Sequence, residues 1–178
     1  AQTDHLSGPH RSCANIRMRY AKGLTQDLND VHLSLFTPQG ITAVEAKDGQ
    51  GIRIYGARTL SSNPQWRYLP VRRLFHAIEK TLEIALQWTV FEANSTLLRQ
   101  AVVQFTQSFL SRLWRQGALA GSSQNAAFIV KCDLDNNPQN VVDDGRLIVD
   151  IAIAPSVPFE YINIRLGKTL DALEVSDS

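Results

Sequence analysis

The side chains with most chemical potential in this sequence sit together at Asp133-Leu134-Asp135-Asn136-Asn137. Carboxylate and amide oxygens at alternate positions are the donor set that wraps a hard cation such as calcium. Two positions argue against such a loop: Pro138 stands where the sharp turn needs glycine, and Asp144 occupies the twelfth position in place of a bidentate glutamate. A solvated turn is the simpler reading. His5, His10, His32 and His76 fall in no metal-ligand spacing, and Cys13 and Cys132 are too far apart in sequence to make a zinc knuckle. His76 is expected partly buried beside an apolar helix face, and Cys132 packed within a strand rather than acting as a nucleophile. Gly49, Gly51 and Gly56 lack the Lys-Ser/Thr pair and the following helix of a phosphate loop. Asn94-Ser95-Thr96 matches a glycosylation sequon, but in a chain without a secretion signal a helix cap explains it better. With no catalytic constellation, no metal ligands and no cofactor motif, the residues point away from an enzyme.

Charge carries more information. From Gly51 to Lys80 run Arg53, Arg58, Arg67, Arg72, Arg73 and Lys80 against the single acid Glu79, whereas Asp133 to Asp150 holds five aspartates against Arg146. Internal pairing is one reading of this segregation. Complementary surfaces on neighbouring copies are the other, since segregated charge steers and registers assembly.

The elements that must position these groups follow from periodicity. Residues 1 to about 30 read as an extended arm or loop, and Leu24 to Phe36 as holding a short helix with Thr25 as a possible N-cap, stopped by Pro38 and Gly40. Ile41–Val44 and Ile52–Tyr55 are expected as strands around the turn Lys47 to Gly51. Val71, Leu74, Phe75, Ile78, Leu82, Ala85 and Leu86 form one helical stripe. Trp88–Glu92 reads as a strand, and Ser95 as the cap of a second long helix with stripe Leu98, Val102, Phe105, Phe109 and Leu113, ended by Gly117. Strands are then expected at Ala127–Cys132, Leu147–Ala154 and Phe159–Leu166, the last isolated by Pro155 and Pro158. The sum is an α+β fold, with two long helices packed on one face of a mixed sheet and with extended terminal arms.

The chain has 178 residues, 44% hydrophobic and 20% charged, which suits one domain with a real core. Its formal net charge of +1 gives no global reason to expect nucleic acid. No apolar run reaches the roughly 18 to 20 residues that span a bilayer, and the first residues lack the layout of a secretion signal, so a soluble chain in a reducing compartment is expected.

Several long blocks resemble contractile tail sheath proteins: Gly51-Ile52-Arg53-Ile54-Tyr55-Gly56-Ala57-Arg58-Thr59-Leu60, Trp66 to Leu74, Gln87 to Asn94, Phe109 to Gly121, Val130 to Asp133 and Gly145 to Leu147. The resemblance is co-linear over about residues 10 to 167, and Gly8-Pro9-His10-Arg11-Ser12 is most similar to the branch found in extracellular contractile injection systems. Pro70 stands where the family tends to have Asn, which is compatible with a helix start. Family members are usually longer, so the chain looks like the conserved C-terminal sheath domain.

The resemblance implies a structural subunit that polymerises helically around an inner tail tube and contracts to drive that tube through a target envelope. A non-polymerising cap or baseplate adaptor is the alternative. It implies as partners the chain itself, the inner tube protein and baseplate and cap proteins, with no direct nucleic-acid contact and no membrane insertion. The implied location is assembly in the bacterial cytoplasm, then a phage tail or a released phage tail-like particle. Three regions are expected: an N-terminal segment 1–40, the sheath domain 41–167 and a tail 168–178. Candidate subunit or tube contacts are Arg53, Arg58, Arg67, Arg72, Arg73, Asp133, Asp135, Asp143, Asp144, Phe159, Tyr161, Ile162, Ile164 and Arg165. The strand Phe159–Leu166 is suited to joining the sheet edge of a neighbouring copy.

Overall fold

A computed structural model describes residues 8–158. The expected strand Phe159–Leu166 and the tail beyond it lie outside the described residues.

The first helix, α1 (Asp30–Phe36), starts later than the Thr25 cap predicts, at Asn29. Asn29 Oδ1 accepts from the His32 amide at 3.0 Å while His32 Nδ1 accepts from the Asn29 amide at 3.3 Å. This reciprocal pair satisfies two otherwise orphan donors, with histidine in the role usually held by Glu or Gln, and Thr25 has no such partner. A single 3₁₀ turn, Thr37–Gln39, follows and ends at Gly40 with φ 77°. A Cβ at Gly40 would collide with the carbonyl oxygen of Thr59, so glycine is required there on both backbone and steric grounds.

Strands β1 (Ala43–Lys47) and β2 (Gly51–Tyr55) pair antiparallel from Ala43↔Tyr55 to Lys47↔Gly51, around the predicted turn. β1 lies two to three residues further along than expected. The N-terminal segment joins this hairpin: the Asn15 amide donates to Ile54 O at 2.7 Å and the Met18 amide to Ile52 O at 2.8 Å. The arm is thus extended as predicted, and is zipped onto the free edge of β2.

Helix α2 (Leu69–Ala85) carries Pro70 in its first turn, where a missing N–H costs nothing, and buries Val71, Leu74, Ile78 and Leu82 at helical spacing. Helix α3 (Thr96–Arg115) is capped by Ser95 Oγ, which accepts from the Leu98 amide at 3.2 Å. Its far end closes with the Gly117 amide on Trp114 O and the Ala118 amide on Leu113 O, the paired bonds that a left-handed glycine allows. The buried face of α3 is rotated from the expected stripe. It runs Arg99, Val102, Thr106, Leu110 and Ser111, and Phe105 is 37% exposed.

The predicted strand Trp88–Glu92 is not a strand. Gln87–Thr89 form a 3₁₀ turn held by the Thr89 hydroxyl donating to Leu86 O at 2.8 Å, and Phe91 takes φ 70°. Aromatic and β-branched composition favours a strand only where a neighbour supplies the ladder. Here the ten residues between two long helices are spent on turn bonds instead.

After the single turn α4 (Gln124–Ala127), β3 (Phe128–Lys131) pairs antiparallel with β4 (Asp150–Ile153); α5 (Gln139–Asp143) lies between them in sequence. β4 is shorter than the predicted Leu147–Ala154. The α+β class stands, but the single mixed sheet expected from the pattern is two separate two-stranded antiparallel ribbons among the described residues. The core joins both long helices to the second ribbon through Leu74, Ile78, Leu82, Leu110, Ala118, Leu119, Ala127 and Phe128.

Candidate assembly interface

The β3–β4 ribbon is the part of the fold best placed to meet another chain. Residues 118–120 continue the line of β3, with the Ala120 amide donating to Ala154 O at 2.8 Å and the Ser156 amide to Ala118 O at 3.1 Å. Both outer edges of this ribbon are unpaired among the described residues. Unpaired strand edges are templates for another strand. Beside the β3 edge runs a groove of about 970 Å³, lined by Gln104, Ser108, Arg112 and Arg115 of α3 and by Phe128 and Val130 of β3.

The ribbon is locked from within by the segment that resembles a calcium loop. Asn137 is fully buried, its Oδ1 accepting from the Ile148 amide at 2.7 Å and its Nδ2 donating to Ile148 O at 2.9 Å. Its side chain therefore occupies the backbone groups that would have extended β4 back to Leu147. Asn136 Nδ2 donates to Lys131 O and to Asp150 Oδ2, both at 2.9 Å, tying the loop to both strands. The amides face inward as staples, while Asp133 and Asp135 face Lys131 at 3.9 and 2.8 Å. That contact holds the Asp135 carboxyl below its ordinary value and the Lys131 ammonium above its own, in each case chiefly through their hydrogen bond.

The remaining charged candidates fall into two groups. Arg53 Nη1 donates to Asn15 O at 2.7 Å and Oδ1 at 3.0 Å, clamping the N-terminal segment onto the hairpin. Arg58 reaches Thr37 O at 3.2 Å, and Arg73 is half-buried on α2. These three sit against the chain itself. Arg67 and Arg72 are exposed, although the Arg72 guanidinium lies 4.4 Å above the ring of Trp66, which in turn meets Phe75 edge-on at 4.9 Å. On the acidic side Asp143 accepts from Gln139 at 2.7 Å and Asp144 pairs with Arg146 at 2.6 Å, all exposed. Phe159, Tyr161, Ile162, Ile164 and Arg165 lie outside the described residues.

Sequence reasoning missed Arg99. Only 6% exposed, it donates to Asn94 O at 3.1 Å and Asn94 Oδ1 at 2.7 Å, and Asn94 Nδ2 donates to Arg146 O at 2.9 Å. The sequon asparagine thus joins the start of α3 to the acidic loop. Arginine at helical spacing from Val102 and Thr106 was the available signal, but a charge on an apolar face is normally read as facing solvent. His76 is exposed rather than partly buried. Cys132 is buried as expected but lies one residue past the end of β3 rather than within the strand, and burial pushes its thiol pKa up, which lowers its reactivity.

Residues 61–167 match the family model of the phage tail sheath C-terminal domain. The chain belongs to the phage tail sheath family. A tail sheath protein of Vibrio phage KVP40 is 27% identical over 173 residues, covering 95% of this chain and 25% of that protein. Among solved structures, a chain of the anti-feeding prophage baseplate superposes with a TM-score of 0.89 at 30% identity, covering 95% of this chain and 48% of its own. A chain of an extracellular contractile injection system sheath complex in the contracted state gives 0.88 at 28% identity, covering 96% and 49%. This sheath-family chain therefore spans about a quarter of the viral relative and about half of each solved chain. Among the described residues no helix is long and apolar enough to cross a membrane.

Proposed function

We propose that this chain is a structural sheath subunit that polymerises helically around an inner tube and contracts to drive the tube through a target envelope. The observation that carries the reading is the β3–β4 ribbon, two strands with open edges fixed onto the core of a domain that superposes on sheath chains of contractile systems. A strand supplied by a neighbouring copy adds to an open edge of this ribbon. Such a head-to-tail contact propagates as a filament when its rotation does not close into a ring. Main-chain links of this kind hold subunits together while their domains move as rigid bodies between two packings. The exposed carboxylates Asp133, Asp135, Asp143 and Asp144 and the exposed Arg67 and Arg72 set register between copies. The inner tube, baseplate and cap proteins are the remaining partners, the chain performs no chemistry of its own, and it acts in a phage tail or a released tail-like particle.

The test is electron microscopy of the chain coexpressed with its tube protein. Striated tubes are expected, and persistent monomers across salt and concentration would refute the proposal. Similarity to a baseplate chain favours a second reading, an adaptor at the end of the sheath. Sedimentation separates the two, because an adaptor stops at a fixed small oligomer.

A further inference from the structure

The loop that replaces the expected strand Trp88–Glu92 presents Trp88 and Val90 about half exposed and Phe91 fully exposed. It is not slack. The amides of Thr89, Val90 and Glu92 donate to Leu86 O, Gln87 O and Thr89 O at 3.0, 3.2 and 3.2 Å, and Phe91 is held at φ 70°, a conformation unfavourable for a bulky residue. An aromatic ring held rigidly in water by strained backbone has the form of an interface anchor, since little entropy is lost when it docks.

At the other end of α2, a helix about 25 Å long by its rise per residue, lies a largely apolar groove of about 500 Å³. It is lined by Ile16, Met18, Tyr20 and Ile54 together with Arg17 and Arg19. This groove belongs to the α2 N-terminal end because β2 leads directly to Ala57, whose carbonyl accepts from the Leu69 amide at 2.8 Å. The anchor carries Glu92 beside Phe91 and the groove carries two arginines, so apolar character meets apolar character and the charges are opposite in sign.

We propose that the Trp88-Val90-Phe91 knob of one copy seats in the Met18–Tyr20 groove of a second copy, with Glu92 against Arg17 and Arg19. The knob follows the C-terminal end of α2 and the groove is tied through Ala57 to its N-terminal end, so the contact joins two different surfaces and extends from copy to copy wherever its rotation does not close a ring. The inference rests on the self-assembly reading above and names a side-chain contact additional to strand exchange.

Sedimentation velocity over a range of concentrations tests it, using the 178-residue chain. The wild type is expected to grow in mass without a plateau at the dimer. Phe91→Gly should weaken association at least tenfold while leaving the melting temperature unchanged or raised, because glycine tolerates the positive φ and the removed ring packs on nothing. Glu92→Arg should weaken association, Arg19→Glu alone should do the same, and combining Glu92→Arg with Arg17→Glu and Arg19→Glu should restore it. Association of Phe91→Gly equal to wild type, no recovery in the charge swap, or a wild type that stays monomeric or dimeric overturns the proposal. So does a Met18→Ser variant that melts lower but associates normally, which would mean that the chain's own terminal residues fill the groove. Normal tubes from Phe91→Gly under the microscope would remove this contact and leave the sheath reading intact; absence of tubes from the wild type would strike the sheath reading itself.

Discussion

Replacing Asn137 by alanine should be among the most damaging single changes outside the apolar core. The side chain is fully buried and makes two short bonds to one residue, accepting from the Ile148 amide at 2.7 Å and donating to the Ile148 carbonyl at 2.9 Å. Each such bond contributes about 1 kcal/mol net, and each partner left buried without a replacement costs about 1–3 kcal/mol more. Two bonds and one stranded group, the Ile148 amide, give a loss of about 3–5 kcal/mol, since the Ile148 carbonyl keeps the Asn136 amide at 3.4 Å; water reaching the site moves the loss toward the low end. Against a total stability of about 5–15 kcal/mol for an ordinary domain, that is a large fraction. Urea unfolding followed by circular dichroism measures it as a fall in midpoint at unchanged slope. Hydrogen exchange adds a local readout: the Ile148 amide should be protected in the wild type and fast in the variant, while amides in the middle of α3 keep their protection relative to global unfolding. A loss below about 1 kcal/mol, or an Ile148 amide that exchanges quickly in the wild type, would refute the view that Asn137 staples the acidic loop to β4.

Leu110→Ala empties a fully buried position in the shared core and should cost about 3–5 kcal/mol in the same assay. Ser95→Ala removes the acceptor for the Leu98 amide and should cost about 1 kcal/mol, whereas Ser95→Asp should retain most of the stability. By NMR titration the Asp135 carboxyl should have its midpoint below 3.8, and Lys131→Met should move that midpoint upward. The sign follows from linkage. A depressed carboxylate contributes stability above its unfolded value that is lost as pH falls through the lower folded value, and the raised Lys131 contributes below 10.5 and is lost as pH rises beyond it. Both groups are exposed, so salt should weaken the effect at both ends.

What the amino-acid order specified unaided was local. The stripe Val71, Leu74, Ile78 and Leu82 has no other stable use than one face of a helix, Ser95 and Gly117 bound the second helix because cap chemistry acts within a few residues, and the Asp48-Gly49-Gln50 turn sets the first hairpin. The family was legible for a related reason: long co-linear blocks are specific without any knowledge of contacts.

Tertiary structure decided the rest. Trp88–Glu92 has strand composition, but composition supplies no partner, and the loop between α2 and α3 turned those residues outward instead. Arg99 entered the core because Asn94 offers it two oxygens there, an arrangement that requires the loop and the helix to meet. The shortening of β4 and the inward turn of Asn136 and Asn137 are one event, a side chain competing with backbone for the same hydrogen bonds. Sequence periodicity reports which face of an element is apolar. Only packing in three dimensions fixes where polar groups find partners, and among the described residues that matching leaves both edges of one ribbon unpaired and one aromatic loop exposed.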